Sequence, residues 1–422
     1  MTPSTTASPE LIVNQTDFHD LDKQDPLAHL REEFELDQDL IYLNGNSLGV
    51  LPKAAKARMT EVIEKEWGQG LIRSWNTHNW INLPQRIGTK LAGIIGAQDK
   101  EVIVADSTSV NLFKLAAAAV KLRPNRTKIV TEPGNFPTDL YILNGVKNFI
   151  GQEIEIVTVP SQEVMQHIDE DTALVCLTHV HYKSGIMLNM KEITAAAHAK
   201  GALIMWDLSH STGAVPLALN EANADLAVGC GYKYLNGGPG APAFLYVAEK
   251  HLPVLEQPLS GWFGHANAFA MSDDFEAAPG IEKTLCGTTP VLGASALEVG
   301  VDIMAKVDPQ QLRDKSLALT EYFMRLMEPL CETYGFELVT PKEQSIRGSQ
   351  VSYTHPEGYA IMQALIAQNI IGDFRAPNIL RFGFAPLYVR FIDLWHTVEA
   401  LEKIMQNSSW DQAQFRAKNK VT

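Results

Sequence analysis

Between Val102 and Val247 the chain alternates apolar β runs with amphipathic helical stretches, and that alternation leaves few folds open. VIVAD, TKIVT, EIEIVTV, ALVCLTHV, ALIMWD, DLAVGCG and PAFLYV read as strands, and VNLFKLAAAAVKL, LYILNGVKNFI and MKEITAAAHAKG as helices between them. Strands that are apolar throughout, not only at alternate positions, must be covered on both faces. The pattern predicts an α/β fold with a mostly parallel sheet of the seven-stranded type and helices on both sides.

From about Pro309 the pattern changes to a long helix (LRDKSLALTEYFMRLMEPL), short strands and a final helix (VRFIDLWHTVEALEKIM). This predicts a smaller C-terminal α+β domain over 309–422, a large domain over 51–308, and an N-terminal segment, 1–50, joining the small domain. Residues 1 to about 35 are polar and expected to be peripheral, with a short Asp/Leu-rich helix. Asp39–Gly49 (DLIYLNGNSLG) reads as a short strand breaking into a turn. A helix is expected from Pro52 through EVIEKEWGQGL.

The 422 residues are 45% hydrophobic and 20% charged, the composition of an ordinary globular protein. A net charge of −14 argues against nucleic acid or an anionic membrane as the main partner. Four cysteines (Cys176, Cys230, Cys286, Cys331) show no C-x-x-C spacing, which suits reduced structural thiols. No window reaches transmembrane length, and the N-terminus lacks a basic stretch followed by an apolar one; a cytoplasmic location is expected.

Chemistry gathers at the ends of two predicted strands. MWDLSH carries Asp207 and His210, and GYKYLNGGPG carries Tyr232 and Lys233. Ligands of open α/β sheets bind at such strand ends. A loop lysine is usually a surface residue, and a strand-end aspartate is often a helix N-cap. Here the lysine follows a strand with no charge past Asp225 and precedes glycines that allow close backbone approach. An amine for Schiff-base formation and a carboxylate to keep a pyridine nitrogen protonated are the two groups a pyridoxal phosphate enzyme requires. The pair is more specific than either residue alone, and His210 shares the rim.

Other candidates are weaker singly. Thr108 and Ser109 open an Ala-rich helix, which is either plain capping or an anion site for a cofactor phosphate. Phe136, in EPGNFPTDLY with Asp139, either caps the core or stacks on a pyridine ring. Thr178 is a hydroxyl donor at the end of ALVCLT. The adjacent His179-x-His181 pair has no third metal ligand at a supporting spacing, so no metal is expected. Arg381, in ILRFGFAPLY, either pairs with a nearby carboxylate or clamps a substrate carboxylate. Trp262 (SGWFGH) and Thr288 (CGTTP) fall in loops. No G-x-G-x-x-G follows an early strand, which removes a nicotinamide dehydrogenase.

Taken in order, YLNGNSLG, FPTD, WDLSH, GYKYLNGGPG, GWFGH and the arginine of LRFGFAPLY resemble the kynureninase family, within the class V aminotransferase group of fold-type-I pyridoxal phosphate enzymes. The resemblance spans nearly the whole chain. It implies a homodimer that hydrolyses L-kynurenine to anthranilate and L-alanine in tryptophan catabolism, the kynurenine route toward NAD. Lys233 would carry pyridoxal 5'-phosphate, Asp207 contact its pyridine nitrogen, and Phe136 stack on its ring. Thr108, Ser109, Asp139, Thr178, His210 and Tyr232 would line it, with Trp262 and Thr288 contributed across a subunit boundary. Tyr232 is also the candidate proton donor. Arg381 would take the substrate α-carboxylate, while Ser47 and Trp75 would face the aromatic ring. Trp75 replaces a histidine, and Thr288 an asparagine, of the animal form, which implies a preference for unhydroxylated kynurenine. The rivals are a cysteine desulfurase or selenocysteine lyase, which needs a cysteine on a mobile loop, and a simple aminotransferase. Cys286 by the GTTP loop and Cys331 in an expected helix-to-strand turn are the only cysteines after Lys233.

Overall fold

The computed structural model describes residues 14–151 and 153–418. Along the chain come α1 (Gln15–Gln24), β1 (Ile41–Tyr42), α2 (Lys53–Glu61), α3 (Ser74–Thr77), α4 (Leu83–Ile95), β2 (Val102–Val104), α5 (Thr108–Lys121), β3 (Lys128–Thr131), α6 (Pro137–Ile150), β4 (Glu155–Thr158), β5 (Thr172–Thr178), α7 (Met190–Ala199), β6 (Leu203–Asp207), β7 (Leu226–Gly229), β8 (Phe244–Val247) and α8 (Val291–Met304). The C-terminal part adds α9 (Pro309–Tyr334), β9 (Glu337–Leu338), β10 (Gln350–Thr354), α10 (Gly358–Ile366), β11 (Ile370–Ile371), β12 (Asp373–Arg375), β13 (Ile379–Gly383) and α11 (Phe391–Gln406).

The seven-stranded sheet has the order β2-β8-β7-β6-β5-β3-β4. Only β8 runs against its neighbours, so the C-terminal ends of β2, β3, β5, β6 and β7 share one edge. Alternate residues of β6 feed two cores. Ile204 and Trp206 pack with Leu91 and Leu297 on one face, and Leu203 and Met205 with Leu115 and Val146 on the other. This two-sided burial is why the strands are apolar at every position. Among the described residues no helix is long and apolar enough to cross a membrane.

The C-terminal part is built on an antiparallel sheet, β12-β13-β10-β9. The N-terminal segment joins it through a parallel pairing of β1 with β11, Ile41 opposite Ile370. Residues 14–35 are not peripheral, contrary to the expectation from their polarity; residues 1–13 lie outside the described residues. Phe18 is buried against Tyr322 and Trp395 with ring centroids 5.9 and 5.8 Å away, and Leu27, Leu30 and Phe34 are core. Asp22 accepts from Phe391 N (2.6 Å) and Ile392 N (3.1 Å), satisfying free amides at the start of α11. A few buried side chains among many charges sufficed to anchor a segment whose average composition reads as surface.

The helix expected from Pro52 through Leu71 also differs. α2 ends at Glu61 and continues as a π-helical stretch, Val62–Gly70. Glu66 is buried there, accepting from Arg58 and from Trp80 Nε1 (2.6 Å), while Ile63 and Trp67 stay exposed. A one-residue widening of the turn leaves no periodic apolar signal, so sequence pattern does not reveal it.

Candidate active site

The lysine loop leaves the C-terminal end of β7 and is held tightly. Asn236 N donates to Lys233 O (2.9 Å), and Gly237 N to Gly231 O (2.9 Å). Asn236 adopts the left-handed region (φ 55°), and its side chain bonds Tyr234 O and Val50 N. Gly49 N donates to Tyr232 O (2.7 Å), so the YLNGNSLG turn clamps the loop from outside. A Cβ at Gly49 would lie 2.5 Å from Asn236 Oδ1 and would collide with Lys233 O. Gly49→Ala is therefore expected to destabilise the protein by about 1–3 kcal/mol through overpacking. Equilibrium unfolding measures this, and unchanged stability would mean that the two loops part freely.

Lys233 Nζ lies 2.9 Å from His210 Nε2 and 5.9 Å from the centroids of both the Phe136 and Tyr232 rings. Burial pushes the His210 imidazole well below its ordinary range, with the Lys233 charge adding to the effect. His210 is therefore neutral and accepts from the lysine. Its Nδ1, which must then carry the hydrogen, is buried with no partner among the described residues.

Two acids stand behind the lysine. Asp207 ends β6, opposite Thr178 at the end of β5, and its Oδ1 accepts Ser209 N at 2.7 Å. Asp139, in the first turn of α6, accepts from Asn135 Nδ2 (3.1 Å) and sits near Thr178, whose hydroxyl donates to Asn135 Oδ1. Burial, then the neighbouring Asp207 charge, hold the Asp139 carboxyl well above the usual carboxylate range. Asp139 is thus the acid of the two whose protonated form the site favours.

Across the lysine, Arg381 on β13 is fully buried. It donates from Nη1 to Tyr182 O (2.8 Å), and from Nη2 to Ser47 Oγ (2.6 Å) and Asp373. Burial pulls its guanidinium down to about 10, opposed chiefly by the Asp373 charge. Thr108 and Ser109 lie in the first turn of α5, at the same sheet edge as Lys233. Ala243 N donates to Asp106 O (2.8 Å), tying that corner to the strand that leaves the lysine loop.

The remaining candidates are placed by their ring contacts and hydrogen bonds. Trp75 packs edge-on against Trp80 and Phe263 (5.8 and 5.9 Å), and Trp262 against Phe263 (4.5 Å) and Phe269 (5.7 Å). Trp262 and Thr288 are exposed, and Trp75 and Trp262 meet on the Phe263 ring. His179 and His181 engage Ser211 Oγ and Gly134 O. Sequence reasoning did not find Lys114, wholly buried in α5, which bonds Asp106 (2.7 Å) and Thr284 O (2.7 Å). A lysine inside the apolar run of an Ala-rich helix was its only signal. Asp373 was missed as well.

Both later cysteines are only partly buried, and burial pushes both thiols up. Cys331 lies inside α9, not in a helix-to-strand turn as expected, because the helix runs three residues further to its Gly335 cap.

A lysine and two buried acids at the C-terminal edge of a mostly parallel sheet, with a buried arginine opposite, define a fold-type-I enzyme of the pyridoxal phosphate class. A cysteine desulfurase from Thermococcus onnurineus shares the fold with a TM-score of 0.76 at 19% identity, over 90% of this chain and 98% of that one. A cysteine desulfurase from Escherichia coli does so with 0.75 at 18%, over 90% and 98%. Those likenesses establish the fold alone. Residues 312–401 match the kynureninase C-terminal domain family. The chain is 51% identical to the kynureninase of Pseudomonas fluorescens over 95% of its own length and 98% of the relative's, and 50% identical to that of Burkholderia mallei over the same shares. It belongs to the kynureninase family.

Proposed function

We propose that this protein hydrolyses L-kynurenine to anthranilate and L-alanine with pyridoxal 5'-phosphate. The observation that carries the reading is Lys233 Nζ at 2.9 Å from a neutral His210, backed by Asp207 and facing Arg381. The residues suit the cofactor: the buried Nδ1 of His210 has no acceptor among the described residues, and the first turn of α5 offers backbone amides for a phosphate. Lys233, Asp207, His210, Tyr232, Thr108, Ser109, Phe136, Asp139 and Thr178 would hold it. When bound, the cofactor supplies an electron sink for carbanion character at the substrate Cα.

The chain's own groups then do the rest. Lys233 Nζ takes the Cα proton and returns it, with neutral His210 as the acceptor that orients the amine. Asp207 would face the pyridine nitrogen, and burial favours the protonated form of its neighbour Asp139. Burial pushes the Tyr232 hydroxyl up, so it remains a proton donor throughout the working pH range. Arg381 fixes the α-carboxylate, and Ser47 lies beside it.

We assign the active form to a homodimer in the cytoplasm. Exposed Ile63, Trp67, Leu71, Ile72, Phe269 and Met271 support a subunit interface, and four unpaired cysteines support a reducing compartment. Trp75, Trp262 and Thr288 would complete the aryl side of the site across that interface.

Anthranilate fluorescence from protein supplied with pyridoxal phosphate is the test, with L-kynurenine and 3-hydroxy-L-kynurenine in parallel. Faster release from kynurenine is expected. The reverse preference would discard the Trp75/Thr288 reading, and no product from either would overturn the function.

A further inference from the structure

Arg381 does not stand alone. In the antiparallel β12–β13 register Asp373 lies directly opposite Arg381, so their side chains share a face, and Arg375 is two residues along that face. Asp373 Oδ2 pairs with Arg381 Nη2 and, at 2.8 Å, with Arg375 Nη2. Ser47 Oγ receives both arginines, at 2.6 Å from Arg381 and 3.4 Å from Arg375. The carboxylate and the Arg381 guanidinium are buried, while Arg375 is about one third exposed, at 35%. Among the described residues, the Nε groups of both arginines are buried without an acceptor.

Two guanidiniums this close repel strongly in a medium that screens little, and a buried arginine without a counter-charge turns away toward water. One carboxylate between them removes the repulsion and leaves the cluster with a net single positive charge. That charge and the unsatisfied Nε donors match one incoming carboxylate. The field of the pair also reaches His210, whose proton affinity both arginines lower.

We propose that Asp373 is a positioning residue for the substrate carboxylate, the shared counter-ion that holds Arg381 and Arg375 in one clamp. It acts through Arg381 and rests on the reading of Arg381 as the carboxylate ligand. Arg375 is the outer arm of the clamp and steadies Asp373 from the solvent side.

The test compares Asp373→Asn, Arg381→Gln, the double variant and Arg375→Gln, each loaded with pyridoxal phosphate, for KM and kcat with L-kynurenine. Asp373→Asn is expected to raise KM about tenfold or more, since it unpairs a buried charge. Its kcat should stay within about threefold, the mark of lost ground-state binding. The double variant should be no worse than Arg381→Gln, because Asp373 works only through that arginine. Arg375→Gln should raise KM about threefold, the smaller effect of a partly exposed partner. Should Asp373→Asn not fold, Arg375→Gln decides the matter alone. An unchanged KM in either, or an additive loss in the double variant, overturns the proposal. If Arg381→Gln itself leaves KM unchanged, the carboxylate reading falls first; if it raises KM while Asp373→Asn does not, only Asp373 loses its role.

Discussion

Lys233→Ala is expected to lose at least about 10³-fold in kcat, since it removes both the cofactor's attachment point and the base for the Cα proton. The amine sits 2.9 Å from His210, but that imidazole cannot replace it. Burial alone holds the proton affinity of His210 well below its ordinary range, which makes it a poor base for a Cα proton, and an imidazole offers no primary amine for cofactor attachment. The same variant should keep its fold, because the loop is fixed by backbone bonds from Asn236, Gly237 and Gly49 and not by the lysine side chain. Anthranilate release and a thermal melt, run together, check both statements. Near-normal turnover would remove Lys233 from the chemistry and take the proposed function with it.

Asp207→Asn is expected to bind pyridoxal phosphate and lose about 10²-fold or more in kcat, the size of effect typical of a misplaced proton equilibrium at a catalytic group. An amide can keep the hydrogen bond from Ser209 N, so the turn survives. It cannot supply the negative charge that keeps a pyridine nitrogen protonated. The substitution also removes the charge that helps hold Asp139 protonated. Asp139 should therefore ionise more readily in the variant, and an acid limb of its pH–rate profile should move to lower pH. Full activity in Asp207→Asn would place the essential acid elsewhere, with Asp139 the next to test.

Much of this site could be read before any coordinates. Lys233, Asp207 and His210 each follow a continuous apolar run, and a chemistry-bearing residue just past such a run must lie at a sheet edge. The seven-stranded order was not legible, since which strands pair depends on contacts far apart in the chain. Nor was the reversal of β8, which carries the same apolar pattern as its parallel neighbours. Arg381 was visible as a lone charge in an apolar stretch, but Asp373 was not. An acid beside Arg375 reads as an ordinary surface pair until the β12–β13 register sets it against a buried arginine. The clamp of Gly49 on the lysine loop joins residues about 180 positions apart, and only folding shows why that turn tolerates no side chain.

The sequence by itself determined the kind of sheet, the rim on which the chemistry lies and the principal groups at that rim. Those properties follow from local periodicity and from what each side chain can do. The tertiary structure alone decided the shifted proton affinities of His210 and Asp139 and the pairing of Asp373 with two arginines. Each of these depends on burial and on the distance between charges, which no stretch of neighbouring residues encodes.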